Sequence, residues 1–444
     1  MKIVIAGAGE VGTHLAKMLS NEDQDIILID SDQESLDHID NNYNLMTYNG
    51  STSSFEALRE VRVDEADLYI AVTPFETRNI TSCAIAKKLG AKKTVARIDN
   101  YEFLSTDNKE ILKQLGVDNM IYPEFLASQE IRTALEHTWA RHWGEIHDGQ
   151  MLLIGVKLRG ESKLINKQLK ELPRDNRFFH VAAIKRNHET IIPTGNDKIL
   201  ENDIVYLISD RNHLDEVRDI CGKKSHYVKK VMIMGGSRIA IRFSLLNSER
   251  FHIKIIESNL ELCEELAHRL PDCEIVHGDG RDIDILKENN IYQYDAFLAL
   301  SDSSETNILA CLTAKEFGVK KTVAEVENLQ FLSQAENLNI GTSINKKLLA
   351  SSRIFKLLLD ADENNSKTLA LADAEVAELV VKQGAKITKS EVKDLKLPFG
   401  MTLAAVVHND VCTLVSGNTR IYPGDSVVVF CLRGSIHKVE KLFN

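Results

Sequence analysis

The chain holds only 7 prolines and 2 tryptophans in 444 residues, and aromatic residues make up 6% of it. Proline this sparse leaves long stretches free to form helices and central strands, and it excludes a proline-rich or collagen-like architecture. No apolar run approaches the roughly 18–20 residues of a membrane span, so direct membrane insertion is not expected. A strand pattern begins within two residues of Met1, so no basic-then-apolar signal segment is expected. Positive charge is in deficit, 54 Lys and Arg against 65 Asp and Glu, for a net charge of −11. That balance argues against nucleic acid or anionic lipid as the main partner. The 7 cysteines (83, 221, 263, 273, 311, 412 and 431) contain no C-x-x-C pair. Neither a zinc site nor a disulfide framework is expected, and buried thiols in a reducing cytoplasm fit best.

What is present is concentrated in residues 1–30. An apolar run (2–6) meets Gly7, Gly9 and Gly12 in G-x-G-x-x-G spacing; a helical pattern follows, and a second apolar run (26–29) ends in Asp30. Gly7 permits the tight strand-to-helix turn, Gly9 lets a pyrophosphate approach the backbone, and Gly12 lets helix and sheet pack closely. The free N–H groups and positive dipole end of the helix then face phosphate. Asp30 stands about 20 residues on, where a carboxylate reaches an adenosine ribose; it favours NAD over NADP and does not exclude ATP, ADP or AMP.

Strand and helix patterns alternate as far as residue 122, which predicts a doubly wound parallel sheet with its ligand at the carboxyl ends of the strands. Polar residues gather at those ends: Ser51 and Thr52, Thr73, and Arg97. Thr73 and Asn79 can offer small donors and acceptors to a ribose or base, and Arg97 positive charge to a phosphate, unless it serves a surface ion pair. Residues 123–147 read as one helical stretch whose stripe of Ile131, Leu135, Trp139 and Trp143 suggests a partner surface. His137, His142 and His147 lie five apart, a spacing that does not stack metal ligands on one helix face, so no metal is expected. Residues 151–222 read as a small α/β module of short strands.

From residue 228 the sequence starts again. DLYIAVTPFETRNITSCAIAKKLGAKKTVARI, from Asp67, matches DAFLALSDSSETNILACLTAKEFGVKKTVAEV, from Asp295, with Asn79 on Asn307 and Gly90 on Gly318. The closing segment repeats the small module, Leu397-Pro398 echoing Leu172-Pro173, and Asp203 and Asp425 fall in corresponding turns, where aspartate most often caps backbone donors. The expected fold is therefore α/β: two Rossmann-like doubly wound domains, each followed by a small α/β domain, as a tandem duplication. The boundaries read 1–122, a connecting helix region 123–150, 151–222, 228–343, a second connecting helix region 344–367, and 368–444.

The second glycine turn departs from the first. It reads Gly235, Gly236, Ser237, Arg238, Ile239, Ala240, so a Cβ stands where the pyrophosphate would approach. Glu257 keeps the ribose acid, Asp279 replaces Ser51, and Glu325 replaces Arg97. Arg238, in the place of Glu10, would partly compensate if it turned toward the ligand. The first half carries the good site; the second is weaker, altered or structural.

The glycine turn with Asp30, the stretch from Ala71 to Asn79, Ala96-Arg97, and Leu397-Pro398 through Ile421-Tyr422-Pro423-Gly424-Asp425 into residues 427–430 resemble RCK domains. The tandem order resembles the TrkA family, peripheral cytoplasmic subunits of bacterial Trk potassium uptake systems, over essentially the whole chain. The resemblance implies a non-enzymatic regulator that binds NAD(H) or adenine nucleotide and assembles into a ring. The ring docks under a membrane subunit, TrkH, at the inner face of the membrane, and nucleotide binding gates ion flow. Gly7, Ala8, Gly9, Glu10, Val11, Asp30, Ser51, Thr52, Thr73 and Arg97 would be ligand contacts. Two modules per chain make a homotetramer the expected closed ring. Two other readings stand beside it. An NAD-dependent oxidoreductase would need a substrate domain with a proton donor or acceptor, and the chain repeats the nucleotide fold instead. A nucleotide sensor acting on another cation transporter shares every motif and differs only in its partner.

Overall fold

The computed structural model describes all residues except 21–23, 41, 42, 44, 148, 173–177, 188, 339, 360–367, 372, 373, 433, 434, 436–438, 440 and 444. Pro173 of the first Leu-Pro pair lies outside the described residues, as do Asn41, the expected end of a helix starting at Gln33, and Asn44, the expected start of a short strand reaching Tyr48. The chain divides into two compact units, Met1–Gln129 with Asn345–Ala361, and Glu130–Ile344 with Asp362–Asn444.

In the first unit, strands β1 (Lys2–Ala6), β2 (Asp25–Asp30), β3 (Met46–Asn49), β4 (Leu68–Ala71), β5 (Lys93–Arg97) and β6 (Asn119–Ile121) form one sheet in the order 3-2-1-4-5-6. All its pairings are parallel. Helices α1 (Glu10–Leu19), α2 (Gln33–Asp40), α3 (Phe55–Glu60), α4 (Glu76–Leu89) and α5 (Thr106–Leu115) connect the strands, and α6 (Pro123–Glu136) follows β6. The two-residue period of the strands sorts the core onto two faces. Ile3, Ile5 and Leu28 pack with Leu15 and Leu19 of α1 on one side; Val4, Ile27 and Ile29 pack with Leu58 and Cys83 on the other. Each fully buried Leu or Ile adds about 1.5–3 kcal/mol of hydrophobic stabilisation. Local signals set the helix ends: the Ser54 side chain accepts the Ala57 N–H to open α3, and Gly90, at φ +129°, closes α4.

In the second unit, β7 (His142–Ile146), β8 (Met151–Lys157), β9 (His180–Arg186), β10 (Glu189–Ile191) and β11 (Ile204–Asp210) form a sheet in the order 10-9-11-8-7, followed by α7 (Leu214–Ile220). A second parallel sheet then repeats the first order: β12 (Lys230–Met234), α8 (Arg238–Asn247), β13 (His252–Glu257), α9 (Leu260–Arg269), β14 (Glu274–His277), α10 (Ile283–Glu288), β15 (Ala296–Ala299), α11 (Ser304–Glu316), β16 (Lys321–Glu325), α12 (Leu329–Asn337) and β17 (Thr342–Ile344). The final sheet holds β18 (Thr368–Leu371), β19 (Ala374–Val380), β20 (Met401–His408), β21 (Val411–Leu414) and β22 (Ser426–Leu432). The two small modules share one core, in which Met151, Leu153, Tyr206 and Ile208 meet Val376, Ala405, Val428 and Phe430. Gln150 staples them by donating to the Asp410 carbonyl at 2.8 Å and accepting the Cys412 N–H at 3.0 Å.

One expected element is corrected. The helix expected over 123–147 ends at Glu136, and residues 142–146 form strand β7, antiparallel to β8 with His142 opposite Gly155. Trp139 and Trp143 continue the apolar stripe by sequence spacing alone; both pack on the core of the first small module, edge to face with ring centroids 6.4 Å apart. His137 stacks on Trp143 at 3.5 Å, and burial pushes its imidazole below the usual range. The stripe is core and not an open partner surface.

The helix after β17, α13 (Lys346–Leu359), belongs to the first unit: Ala350 and Ile354 are fully buried in the same cluster as Ile3 and Leu15. Among the described residues no helix is long and apolar enough to cross a membrane.

Candidate functional site

The sheet order places both strand-order reversals between a first strand and its neighbours, where doubly wound sheets open a crevice. In the first crevice, the Gly7 N–H donates to the Ile29 carbonyl at 2.9 Å, and Gly7 turns the chain at φ +117°. A Cβ there would lie 2.9 Å from the Thr73 nitrogen; one at Gly12 would lie 1.9 Å from the Gly7 carbonyl oxygen. A Cβ at Gly9 would meet nothing within 4 Å, so open space lies above the turn at that position. Gly9 caps α1 with no side-chain hydrogen bond, leaving first-turn N–H groups to an outside acceptor.

Asp30 ends β2 with its carboxylate turned toward the glycine loop. Its Oδ2 accepts the Ala8 N–H at 2.6 Å and its Oδ1 the Asp32 N–H at 3.0 Å. An ionised carboxylate has about four acceptor sites, so capacity for hydroxyl donors remains. At the end of β3, Ser51 is exposed, whereas Thr52 is buried and its carbonyl accepts the Tyr69 hydroxyl at 3.1 Å. The Thr52 Oγ1 is buried with no hydrogen-bond partner among the described residues, and so is the Arg97 Nε, with Asp99 Oδ1 standing 3.8 Å off. Val11 is buried in the core and reaches the loop through its backbone only. Glu10 is exposed and pairs with Lys347 of α13.

Asn79 occupies a different place from the ribose-facing one expected of it. It is fully buried; its Oδ1 accepts the Thr73 N–H and hydroxyl, and its Nδ2 donates to the Thr73 and Arg97 carbonyls, both at 2.9 Å. The side chain is spent on bracing the ends of two strands.

The second crevice keeps the same frame. Gly235 has φ +97°, the Gly236 N–H donates to Glu257 Oε2 at 2.7 Å, and Asn307 braces Ser301 and Glu325 as Asn79 braces Thr73 and Arg97. The lining differs. The Ser237 Oγ accepts the Ala240 N–H at 3.4 Å and caps α8. Arg238 opens α8, Ile239 is buried, Asp279 is held by the Arg281 guanidinium at 2.6–3.0 Å, and Glu325 is buried. That guanidinium holds the Asp279 carboxyl below its usual range. A cleft of about 500 Å³ opens here, lined by Gly235, Ser237, Glu257, Asp279, Arg281 and Asp302 among others.

Asp203 and Asp425 each accept a backbone N–H three residues back, from Leu200 and Tyr422, both at 2.8 Å, as expected for turn aspartates. Each also holds a side chain, Arg186 in the first module and His408 in the second. Lys347 had no signal in the sequence, because its place beside the glycine turn depends on where α13 packs.

The TrkA-N domain family model matches residues 3–123 and 231–346, and the TrkA-C domain model matches 153–222 and 376–444. The chain belongs to the TrkA family. The Trk system potassium uptake protein TrkA of Halomonas elongata is 30% identical over 453 residues, covering 100% of this chain and 98% of its own. The crystal structure of the GsuK RCK domain superposes with a TM-score of 0.61 at 13% identity, over 100% of this chain and 94% of that one. The GsuK channel bound to NAD gives 0.60 at 14%, over 100% and 78%. The tandem RCK architecture expected from the duplicated sequence is the fold of this chain.

Proposed function

We propose that the chain is a cytoplasmic, nucleotide-sensing regulatory subunit of a potassium uptake system, and that NAD(H) or an adenine nucleotide such as ADP or ATP occupies the first crevice. The observation that carries this reading is the open space at Gly9 beside the pinned carboxylate of Asp30. The buried Thr52 Oγ1, which has no hydrogen-bond partner among the described residues, fits a ligand that supplies an acceptor. Gly9, Glu10 and Val11 would offer backbone N–H groups to the phosphates, with the α1 dipole behind them, while Gly7 and Ala8, whose N–H groups are held by Ile29 and Asp30, would shape the turn against the ligand. Asp30 would take the ribose hydroxyls; Ser51, Thr52 and Thr73 would supply small polar contacts, and Arg97 positive charge. Asn79 acts as a positioning residue, holding Thr73 and Arg97 in place.

A bound nucleotide shifts the shape of such a chain only by its differential affinity for the two shapes. The readout is a membrane partner of the TrkH type, reached by docking, with four chains closing a ring of eight modules. The names of the TrkA relatives and the NAD-bound state of one RCK neighbour support this reading and favour it over an oxidoreductase. Calorimetric titration of the full chain with NAD, NADH, ADP and ATP tests it. At least one should bind, with affinity falling tenfold or more in Asp30→Ala; equal affinities in the two proteins overturn the assignment of the first crevice.

A further inference from the structure

The second crevice keeps what a ribose needs and loses what a phosphate needs. Glu257 is pinned as Asp30 is: its Oε2 accepts the Gly236 N–H at 2.7 Å and its Oε1 the Asn259 N–H at 2.8 Å. The Ser258 hydroxyl also donates to Oε1, at 3.2 Å, so of about four acceptor sites Glu257 keeps room for a ribose hydroxyl, less than Asp30 does. The cleft volume of about 500 Å³ falls within the roughly 300–1,000 Å³ of small-molecule sites.

Apart from Arg238, which replaces Glu10, the changes in the lining run against a phosphate. Ser237 places a Cβ and a hydroxyl over the turn, and that hydroxyl accepts the Ala240 N–H, a helix donor that a phosphate would otherwise use. Asp279 stands where the first copy has Ser51 and Asp302 where it has Pro74, and both line the cleft. The lining thus carries three carboxylates, Glu257, Asp279 and Asp302, against Arg281, whose guanidinium is engaged on Asp279 at 2.6–3.0 Å. A pyrophosphate brought here meets like charge in a partly enclosed site, where Coulomb repulsion is less screened than in bulk water.

We propose that the second cleft binds a ribonucleoside that carries no phosphate and is neutral or cationic at its 5′ position, so that one chain holds two ribose sites of opposite charge preference. This goes beyond the reading of the first crevice and stands on different residues.

The test is calorimetric titration of the full chain with adenosine and S-adenosylmethionine, and with ADP as the phosphate-bearing control. Asp30→Ala should still bind adenosine or S-adenosylmethionine, since only the first crevice is altered. Glu257→Ala should weaken that binding tenfold or more. Asp302→Lys, at an exposed position that the fold does not depend on, should raise ADP affinity in the Asp30→Ala background at least tenfold and weaken S-adenosylmethionine. Two results overturn the proposal: no heat with either phosphate-free probe in Asp30→Ala, or ADP binding in that background that Asp302→Lys leaves unchanged. Neither bears on whether Asp30→Ala abolishes nucleotide binding at the first crevice, so the two readings fail separately.

Discussion

The side-chain carbonyl of Asn79 receives both the N–H and the hydroxyl of Thr73, at 3.0 and 2.6 Å, and Asn307 does the same for Ser301 at 3.0 and 2.7 Å. Each asparagine also donates to the carbonyl of the last residue of the next strand, Arg97 or Glu325, at 2.9 Å. The brace has survived duplication while the residues it holds in the crevice have diverged from Arg to Glu and from Thr to Ser. It belongs to the frame on which either ligand preference is mounted.

Replacing Asn79 by Ala leaves the Thr73 N–H and the Arg97 carbonyl without this partner in a buried setting. Stranded buried groups cost about 1–3 kcal/mol each. Urea unfolding of Asn79→Ala should show a loss of at least about 2 kcal/mol for the transition of the first unit, together with weaker nucleotide binding. A loss of binding with unchanged stability would instead make Asn79 a direct ligand contact.

Gly9 and Gly12 separate ligand approach from packing. A methyl group at Gly9 meets no protein atom within 4 Å, and one at Gly12 falls 1.9 Å from the Gly7 carbonyl oxygen. Gly9→Ala should leave the melting temperature within a degree or two and weaken NAD or ADP at least tenfold. Gly12→Ala should destabilise by about 1–3 kcal/mol, the usual cost of overpacking. Thermal melts alongside titrations check both.

Lys321, at the start of β16, is buried and donates to the Ala140 carbonyl at 3.2 Å. Burial first, then Arg141 and Lys315, lower its ammonium to about 7, with Glu130 acting in the opposite direction. Lys315 is lowered to about 8 by burial and by Arg141, Arg159 and Lys157. Between these values and the ordinary lysine range near 10.5, the unfolded chain binds more protons than the folded one, so stability rises with pH. Below about pH 7 both states are protonated and the burial penalty is present in full. Denaturant midpoints measured from pH 7 to 9 should climb in wild type and climb less in Lys321→Met, which should be the more stable protein at pH 7. A flat wild-type profile contradicts this.

Sedimentation of the purified chain should give a mass about four times 49.9 kDa, as the proposed ring of eight modules requires. A species of one or two chains at working concentration excludes that ring.

Much of this was legible in the sequence because duplication and glycine spacing are local signals. The bounds of α4 follow from the run between Pro74 and Gly90, and the exchange of Arg97 for Glu325 is visible by laying one half on the other. Residues 137–147 misled for a physical reason. Trp139 and Trp143 lie four apart, which extends a helical stripe, yet residues 142–146 also suit a strand that pairs with Met151–Lys157, and pairing with a sheet outweighs local periodicity. The burial of Asn79, the lysine cluster around Lys321 and the pairing of Lys347 with Glu10 depend on which segments the fold brings together, and no spacing rule reports that.

Helix α13 has a consequence for how the chain is made. Ala350 and Ile354 complete the core face that begins at Ile3, so a nascent chain on the ribosome carries an open apolar face until about residue 359 has emerged. At roughly 5–20 residues per second, that interval lasts tens of seconds, long enough for a holdase chaperone to engage. Translation must therefore run through the whole second nucleotide fold before the first can close.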